Sequence, residues 1–339
     1  MLSLLPWKQK LAIDLGTATC HVSVQNAGLV VREPVVIAFE TERHRPIAYG
    51  SEAKQMLDRE VSDVEVIRPL EGGVVAGFDA TVTFLRHYIQ QAIGHRPLLA
   101  PTVVTAEPTR ATQVERRALM NALKAAGAGE VITVPRALAA SIGAGVPMDQ
   151  PECRLIVDMG AGSTDIGVIS MGMIAAGEAL HFGGDDLDEA IRRFVQRRYR
   201  ISIGSARAED VKIMAGALST EAMAEQVRIS DLKDGESNGD SQKLEGIAEM
   251  LRASLKPIAS EVLWILDALP ERQLDEITQV ESILTGGCAQ LRGLTELLSD
   301  ELALRFTAAP DPMSCTILGL EAILNDLEAL SLDGRRFSR

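Results

Sequence analysis

The chain has 339 residues, of which 46% are hydrophobic and 24% are charged. This composition is that of a globular protein, and at about 150 residues per domain the length predicts two domains, with one large domain as the alternative. The 34 basic and 47 acidic residues leave a net charge of −13. A general nucleic-acid binder carries a basic surface, so we expect no nucleic-acid partner.

The cysteines and the N-terminal segment indicate the cellular compartment. The four cysteines lie far apart, and neither a CxxC pair nor a Cys/His cluster occurs in the sequence. This pattern disfavours a zinc site or a disulfide framework and indicates a reducing environment. No apolar run approaches the ~20 residues that span a bilayer. In the opening residues MLSLLPWKQK the lysines follow the short apolar stretch, the reverse of a signal peptide, so we expect a cytoplasmic protein.

Strands and helices alternate along the chain, which predicts an α/β fold. In chain order, the predicted elements are a strand–turn–strand unit at 10–24, β-structure at 29–50, helices at 51–59 and 79–93, a strand at 101–105, a helix at 113–126, a strand at 131–134, a helix at 136–143, a second strand–turn–strand unit at 154–170, helices at 185–199 and 209–218, an exposed loop at 233–243, a long helix at 244–269, a strand at 282–285, and helices from 291 and over 317–330.

One motif occurs twice, 144 residues apart. Residues 13–19 (IDLGTAT) and 157–163 (VDMGAGS) each place an Asp after apolar residues, followed by glycine and by small or hydroxyl residues. Tight turns of this kind expose backbone N–H groups that bind phosphate oxygens. The pair predicts two related lobes that hold a polyphosphate, with a hydrated Mg²⁺ between Asp14 and Asp158, since Mg²⁺ keeps several waters and takes few carboxylates. Two ordinary glycine hairpins are the alternative.

Together these residues resemble the MreB family of bacterial actins, in the actin/Hsp70/sugar-kinase superfamily. The resemblance covers almost the whole chain and is carried by IDLGTAT, VIRPLEGGVVAGFDAT, ATQVERRAL, AASIGAGVP, VDMGAGSTDIGVIS, GGDDLDEAI and LTGGCAQLRGL. It implies an α/β, actin-like, two-lobed ATPase fold with four subdomains around a cleft for ATP and Mg²⁺. The implied boundaries are 1–31, 67–150 and 311–339 for subdomain IA, 32–66 for IB, 151–181 and 246–310 for IIA, and 182–245 for IIB.

The resemblance also implies the residues that contact the nucleotide. The first phosphate loop is Thr17, Ala18 and Thr19; the second is Gly160, Ala161, Gly162 and Ser163; the ribose and base contacts are Glu209, Asp210, Val211 and Lys212; and the adenosine loop is Gly287, Cys288, Ala289 and Gln290. Asp14 and Asp158 match the aspartates that hold the metal through water.

One departure from the family concerns hydrolysis. Arg136-Ala137 stands where the family has the Glu-Pro whose Glu positions the attacking water. A Glu can accept a proton from water, whereas an Arg stays protonated and has no acceptor. Because general-base help contributes about 10²–10⁴-fold in rate, we expect ATP binding with slow or absent hydrolysis. Arg136 can instead contact the γ-phosphate, as an arginine finger does, and a surface Arg misaligned by one residue is the remaining alternative.

Two apolar segments predict contact with a membrane. Leucines can enter the interface while nearby lysines meet anionic headgroups, and MreB-like proteins carry membrane-inserting residues at the N-terminus and in the matching loop. The residues are Leu2, Leu4, Leu5 and Trp7, which precede two lysines, and Leu98 and Leu99 in a predicted loop. A buried leucine contributes about 1.5–3 kcal/mol, so only a filament of many copies binds tightly. Core packing of Leu98-Leu99 and a frayed or docked N-terminus are the alternatives.

The predicted function is that of an ATP-binding cytoskeletal protein. It polymerises with itself on the inner face of the cytoplasmic membrane and scaffolds membrane proteins of envelope synthesis, which helps to determine cell shape. A specialised actin-like filament for organelle or plasmid positioning and a non-hydrolysing MreB paralogue are the alternatives. A sugar or acetate kinase and a chaperone ATPase are rivals from other classes, and the ATQVERRA segment fits the kinases poorly.

Overall fold

The structure, a computed structural model, describes residues 8–58, 62–94, 99–215 and 246–326. The chain divides into two compact units, unit 1 with Met1–Met148 and Ser314–Arg339, and unit 2 with Asp149–Met313. Each unit has its own five-stranded sheet.

The sheet of unit 1 combines an antiparallel meander with two parallel strands. The meander consists of β1 (Lys10–Leu15), β2 (Thr19–Val24) and β3 (Gly28–Pro34). On its other side β1 pairs in parallel with β9 (Thr102–Glu107), which pairs in parallel with β10 (Glu130–Pro135). The strand order is therefore β10-β9-β1-β2-β3. Because parallel strands end at the same edge of a sheet, the residues that follow β9 and β10 lie near the C-terminal end of β1.

Helices and a smaller sheet complete unit 1. The helices are α1 (Gly50–Asp58), α2 (Phe78–Ile93), α3 (Gln113–Ala126), α4 (Arg136–Gly143) and α11 (Cys315–Asn325). The smaller strands are β4 (Ile37–Glu40), β5 (Arg45–Tyr49) and β6 (Val64–Ile67), in the order β5-β4-β6, and the hairpin β7 (Leu70–Glu71) and β8 (Val74–Val75). The predicted bounds of α3 are confirmed, because Thr112 and Glu115 form a capping box and Gly127 ends the helix at φ 119°.

Helices α4 and α11 pack so closely that only glycine fits at their crossing. A Cβ added to Gly143 would overlap the carbonyl of Cys315, and one added to Gly319 would overlap the carbonyl of Ala139. Glycine at these two positions lets the two helix backbones approach in this way.

Unit 2 repeats the strand order of unit 1. Its meander is β11 (Arg154–Met159), β12 (Thr164–Ser170) and β13 (Met173–Leu180), and β11 also pairs in parallel with β14 (Ser282–Thr285), which pairs in parallel with β15 (Phe306–Ala308). The order β13-β12-β11-β14-β15 places β11 where unit 1 has β1. The prediction of two related lobes, each built on a strand–turn–strand unit, is therefore confirmed.

The helices of unit 2 differ in part from the prediction. In the described residues they are α5 (Gly184–Tyr199), α6 (Ser205–Ala215), α7 (Ile247–Ser254), α8 (Lys256–Asp267), α9 (Glu271–Gln279) and α10 (Leu294–Leu302), with a 3₁₀ turn at Gly287–Gln290. The single helix predicted over 244–269 is wrong within the described residues, because Pro257 stands in the first turn of α8 and cannot continue the hydrogen bonds of α7. Helix α6 begins before residue 209, and the loop predicted at 233–243 lies outside the described residues.

The predicted membrane segments are described only at one residue. Leu2, Leu4, Leu5, Trp7 and Leu98 lie outside the described residues. Leu99 is 47% exposed, so it does not pack into the core as the alternative interpretation required. Among the helices that the structure describes, none has the length and apolar character needed to cross a membrane.

Candidate functional site

The two duplicated turns have the same geometry. In unit 1 the turn Gly16–Thr19 follows β1, and the Gly16 amide donates to the Thr19 carbonyl at 3.0 Å. In unit 2 the turn Gly160–Ser163 follows β11, and the Gly160 amide donates to the Ser163 carbonyl at 2.9 Å. Each turn thus closes four residues between paired strands, which is the compact backbone nest expected of a phosphate loop.

Neighbouring elements hold each turn in place. The hydroxyl of Thr17 accepts a hydrogen bond from the Gly73 amide at 2.9 Å. The first residues of α5 hold the second turn, since the Gly184 amide donates to the Gly160 carbonyl at 3.0 Å and the Asp185 amide to the Ala161 carbonyl at 2.8 Å. Glycine is required at 183, because a Cβ there would lie 2.5 Å from the Ala161 carbonyl oxygen.

The two predicted metal aspartates occupy matching positions. Asp14 on β1 and Asp158 on β11 each lie two residues before the turn glycine, and their exposed fractions are only 5% and 4%. In register, Asp14 faces His21 on β2. His21 Nδ1 lies 3.7 Å from Asp14 Oδ2, so this histidine, whose spacing in the sequence predicts only a structural or solvated role, belongs to the surroundings of the site. Because a four-residue turn joins the antiparallel strands β1 and β2, Asp14 and His21 face each other, and this spacing could have located His21 from the sequence.

Arg136 forms an ion pair with Asp14. Its Nη1 donates to Asp14 Oδ1 at 2.8 Å, and its Nη2 donates to the Leu15 carbonyl at 3.4 Å. The side chains are 15% and 7% exposed, so Arg136 is not the surface residue of the alternative interpretation. Arg136 is the first residue after β10, and its side chain reaches along the sheet edge past β9 to β1.

The electrostatics of Asp14 are dominated by burial and by its two basic neighbours. Burial alone would raise the pKa of the Asp14 carboxyl, but the guanidinium of Arg136 and the imidazole of His21 outweigh it and hold the pKa below its usual value. Asp14 is therefore a carboxylate whose charge Arg136 already neutralises.

We tested whether these residues fit a hydrated Mg²⁺. One oxygen of Asp14 is bound by Arg136 and the other is approached by His21, so a divalent cation there would displace or repel the guanidinium. The arrangement at Asp14 does not fit the metal that the resemblance implied.

Of the four residues predicted to contact the ribose and base, two are buried and two face solvent. Lys212 on α6 is buried, and its Nζ donates to Asp188 Oδ2 at 2.9 Å and to the Gly184 carbonyl at 3.0 Å. Val211 lies fully buried in the apolar core of unit 2, so its side chain points away from solvent. Glu209 is half-buried and Asp210 is exposed. Helix α6 therefore presents Glu209 and Asp210 to solvent and uses Val211 and Lys212 to pack.

Asp188 on α5 is a residue that the sequence analysis did not single out. Burial raises its pKa to about 6, although the ion pair with Lys212 acts in the opposite direction. The GGDDLDEAI segment contains it, but no spacing rule marks one of its several acids. The pair with Lys212 depends on how α5 packs against α6, which explains why the sequence did not reveal it.

The predicted adenosine loop contacts the second phosphate turn. Cys288 Sγ donates to the Gly160 carbonyl at 3.3 Å, and Gly287 and Gln290 are exposed on either side of the buried pair Cys288-Ala289. Burial raises the pKa of the Cys288 thiol to about 12, so this cysteine packs and is not a nucleophile. Unit 2 therefore brings Gly160, Lys212 and Cys288 together around the start of α5.

Two sheets of identical order, each with a buried Asp and a glycine turn after its central strand, define an actin-like fold with candidate nucleotide-binding turns. The family model described as MreB/Mbl protein matches residues 8–332, and the chain belongs to this family.

Relatives of known name and structure agree with this assignment. The chain is 37% identical over 318 residues to the cell shape-determining protein MreB of Escherichia coli K12, covering 91% of each chain. It is 33% identical over 322 residues to the cell shape-determining protein Mbl of Bacillus subtilis 168, covering 94% of this chain and 97% of the relative.

Solved structures show the same fold. MreB 5 of Spiroplasma citri bound to AMPPNP has 28% identity and a TM-score of 0.87 over 96% of this chain and 99% of that one. A MamK double helical filament, with 19% identity and a TM-score of 0.75 over 94% and 98%, shows the likeness of fold alone. The predicted actin-like fold is confirmed.

Proposed function

We propose that this protein is an ATP-binding cytoskeletal protein that assembles with itself into filaments and helps to determine cell shape. The observation that carries the proposal is the pair of matched turns, Gly16–Thr19 and Gly160–Ser163, each beside a buried Asp. Membership of the MreB/Mbl family supports it, as do relatives named for cell shape and Spiroplasma citri structures bound to AMPPNP and ADP.

The proposed nucleotide contacts follow the expected set. The two turns supply amide and hydroxyl donors to phosphate oxygens, Glu209 and Asp210 supply exposed or half-exposed carboxylates for the sugar and base, and Val211, Lys212, Cys288 and Ala289, being buried, contribute through backbone or packing. Gly287 and Gln290 supply exposed backbone and amide groups. Isothermal titration calorimetry of ATP with the full chain tests the proposal, and the absence of uptake by folded protein would overturn it.

We propose that hydrolysis of the bound ATP is slow. Arg136 begins α4 where a Glu would position water, and a guanidinium paired to Asp14 cannot accept a proton. At saturating ATP and magnesium, which replace the lost positive charge, substituting Arg136→Glu is expected to raise phosphate release by about 10²-fold or more, since a positioned base contributes about 10²–10⁴-fold. Release by the unsubstituted protein that already equals this rate would contradict the proposal. A non-hydrolysing MreB paralogue is the second candidate that the Arg136–Asp14 pair favours.

We further propose that filaments lie on the inner face of the cytoplasmic membrane and scaffold membrane proteins of envelope synthesis. The support is Leu99, which is 47% exposed beside Leu98, together with the apolar N-terminal residues Leu2, Leu4, Leu5 and Trp7. The four proposed subdomains keep the boundaries given above. Negative-stain microscopy with ATP on lipid tests filament formation. A filament specialised for positioning organelles or plasmids would also assemble, but it would not alter cell shape.

Sedimentation with vesicles that contain anionic phospholipid tests the membrane proposal. The double substitution Leu98→Ser and Leu99→Ser is expected to abolish pelleting, because each leucine loses about 1.5–3 kcal/mol of transfer free energy. Leu263 on α8 of unit 2 is 43% exposed and provides a matched control, so Leu263→Ser is expected to pellet normally. Unchanged pelleting of the double variant, or equal loss in the control, would contradict the role of the loop.

A further inference from the structure

We propose that Arg136 acts as a built-in cation at the first phosphate turn, neutralising Asp14 in place of a divalent metal, so that ATP uptake depends little on magnesium. The inference rests on the proposed binding of ATP and concerns how the negative charge of Asp14 is neutralised at that site. It follows from the disagreement between the donors found at Asp14 and the metal that the family resemblance implied.

Asp14 places a negative charge at the end of β1. Asp14 is nearly buried and sits two residues before the turn Gly16–Thr19. An unpaired carboxylate in this position would repel a triphosphate, because buried charges are poorly screened. A cation must therefore neutralise Asp14 before phosphate can approach, and Arg136 Nη1 already does so at 2.8 Å.

The guanidinium of Arg136 lies close to the first phosphate turn. Its Nη2 contacts the Leu15 carbonyl at 3.4 Å, and Leu15 immediately precedes the turn. The positive group therefore lies at the base of the proposed phosphate loop, covalently attached and always protonated. A small pocket in unit 1 adjoins it, lined by Leu15, Gly73 and Glu115 among others. A bound magnesium ion would supply the same sign of charge at the cost of losing waters.

Helix α4 itself does not favour an arginine at its first position. Arg136 is the first residue of α4, at the helix end where the backbone dipole is positive, and the first turn of α4 contains no acidic residue. A cation there is disfavoured by the dipole. The ion pair with Asp14, 122 residues away in the chain, is the contact that compensates. Arg136 is thus stabilised by a carboxylate on strand β1 and not by its own helix.

The experiment measures the dissociation constant of ATP for the full-length protein in excess magnesium and in excess EDTA. We expect the two constants to agree within about threefold, since the charge at Asp14 does not change. The substitution Arg136→Gln removes the guanidinium from Asp14, so the ratio of the dissociation constant in EDTA to that in magnesium is expected to rise to about tenfold or more. Adding Asp14→Asn to Arg136→Gln removes the carboxylate that has lost its guanidinium, and the two dissociation constants are expected to agree again within about threefold.

A control separates this effect from the general loss of a paired arginine. Arg192 Nη1 on α5 of unit 2 donates to Glu189 Oε2 at 2.7 Å, and its Nε donates to the Ile203 carbonyl at 3.1 Å. Arg192→Gln therefore breaks an arginine–carboxylate pair that lies in the other unit and is expected to keep the ratio of the unsubstituted protein. Circular dichroism of each variant checks folding, and if Arg136→Gln does not fold, the ratio of the unsubstituted protein decides alone.

The outcomes distinguish the inference from the function on which it rests. Binding in magnesium that weakens by about tenfold or more in EDTA would overturn the built-in cation while leaving ATP binding intact. The same ratio in Arg136→Gln as in the unsubstituted protein would also overturn it. Uptake in neither condition would overturn the proposed function, and the inference with it.

Discussion

Breaking the ion pair between Arg136 and Asp14 tests the stability of unit 1 in the absence of nucleotide. The two side chains are 15% and 7% exposed and their nearest atoms are 2.8 Å apart. At an effective dielectric constant of about 20, charges roughly 4 Å apart attract by about 4 kcal/mol, and losing one partner of a buried pair costs about 3–5 kcal/mol. We therefore expect Arg136→Gln to lower the free energy of unfolding of unit 1 by about 3 kcal/mol, since Gln retains part of the packing.

The assay must report on unit 1. Trp264 lies on α8 of unit 2 and is 59% exposed, so its fluorescence follows the other unit. Amide hydrogen exchange by mass spectrometry, on peptides that cover β1 and α4, measures the opening free energy where the pair lies. Arg136→Gln, Asp14→Asn and the double variant form a cycle, and we expect a coupling energy of about 1–3 kcal/mol because the two residues are in direct contact.

An exposed pair supplies the control for this cycle. Arg192 and Glu189 on α5 lie 2.7 Å apart but are 44% and 39% exposed, so solvent screens them and Arg192→Gln is expected to cost less than about 1 kcal/mol. If the effects of Arg136→Gln and Asp14→Asn add within about 0.5 kcal/mol, the two charges do not interact and the reasoning from burial and distance is refuted.

Two further predictions concern packing and pH. Gly319→Ala is expected to lower the free energy of unfolding by about 2 kcal/mol in a urea titration, because the cost of the overlap with the Ala139 carbonyl exceeds the gain in helix propensity. Gly204 has no neighbour within 4 Å of an added Cβ, so Gly204→Ala is expected to have little effect in the same titration. Burial raises the pKa of Asp188 to about 6, above its unfolded value, so its stabilisation is present at low pH and is lost as pH rises through 6. Between pH 5 and 7 we expect the free energy of unfolding to fall by about 1 kcal/mol more than in Asp188→Asn, and parallel pH profiles would contradict this.

The sequence by itself determined the local elements and the two phosphate turns. The capping box of Thr112 and Glu115 and the stop at Gly127 delimit α3 as predicted, and Asp-x-Gly at 14–16 and 158–160 marks the turns after β1 and β11. These features depend on residues a few positions apart, whose spacing and turn chemistry act on the backbone directly. The same local rules did not place the break between α7 and α8, where Pro257 interrupts an otherwise continuous apolar period.

Only the tertiary structure decided which charged side chains meet. Arg136 and Asp14 are 122 residues apart, and Lys212 and Asp188 are 24 apart on different helices. The first pair exists because β9 stands between β10 and β1 in the sheet, and the second because α5 packs against α6. Strand order and helix packing are set by burial of the whole apolar surface, which is not directional, so the partner of a long side chain cannot be read from its own neighbourhood.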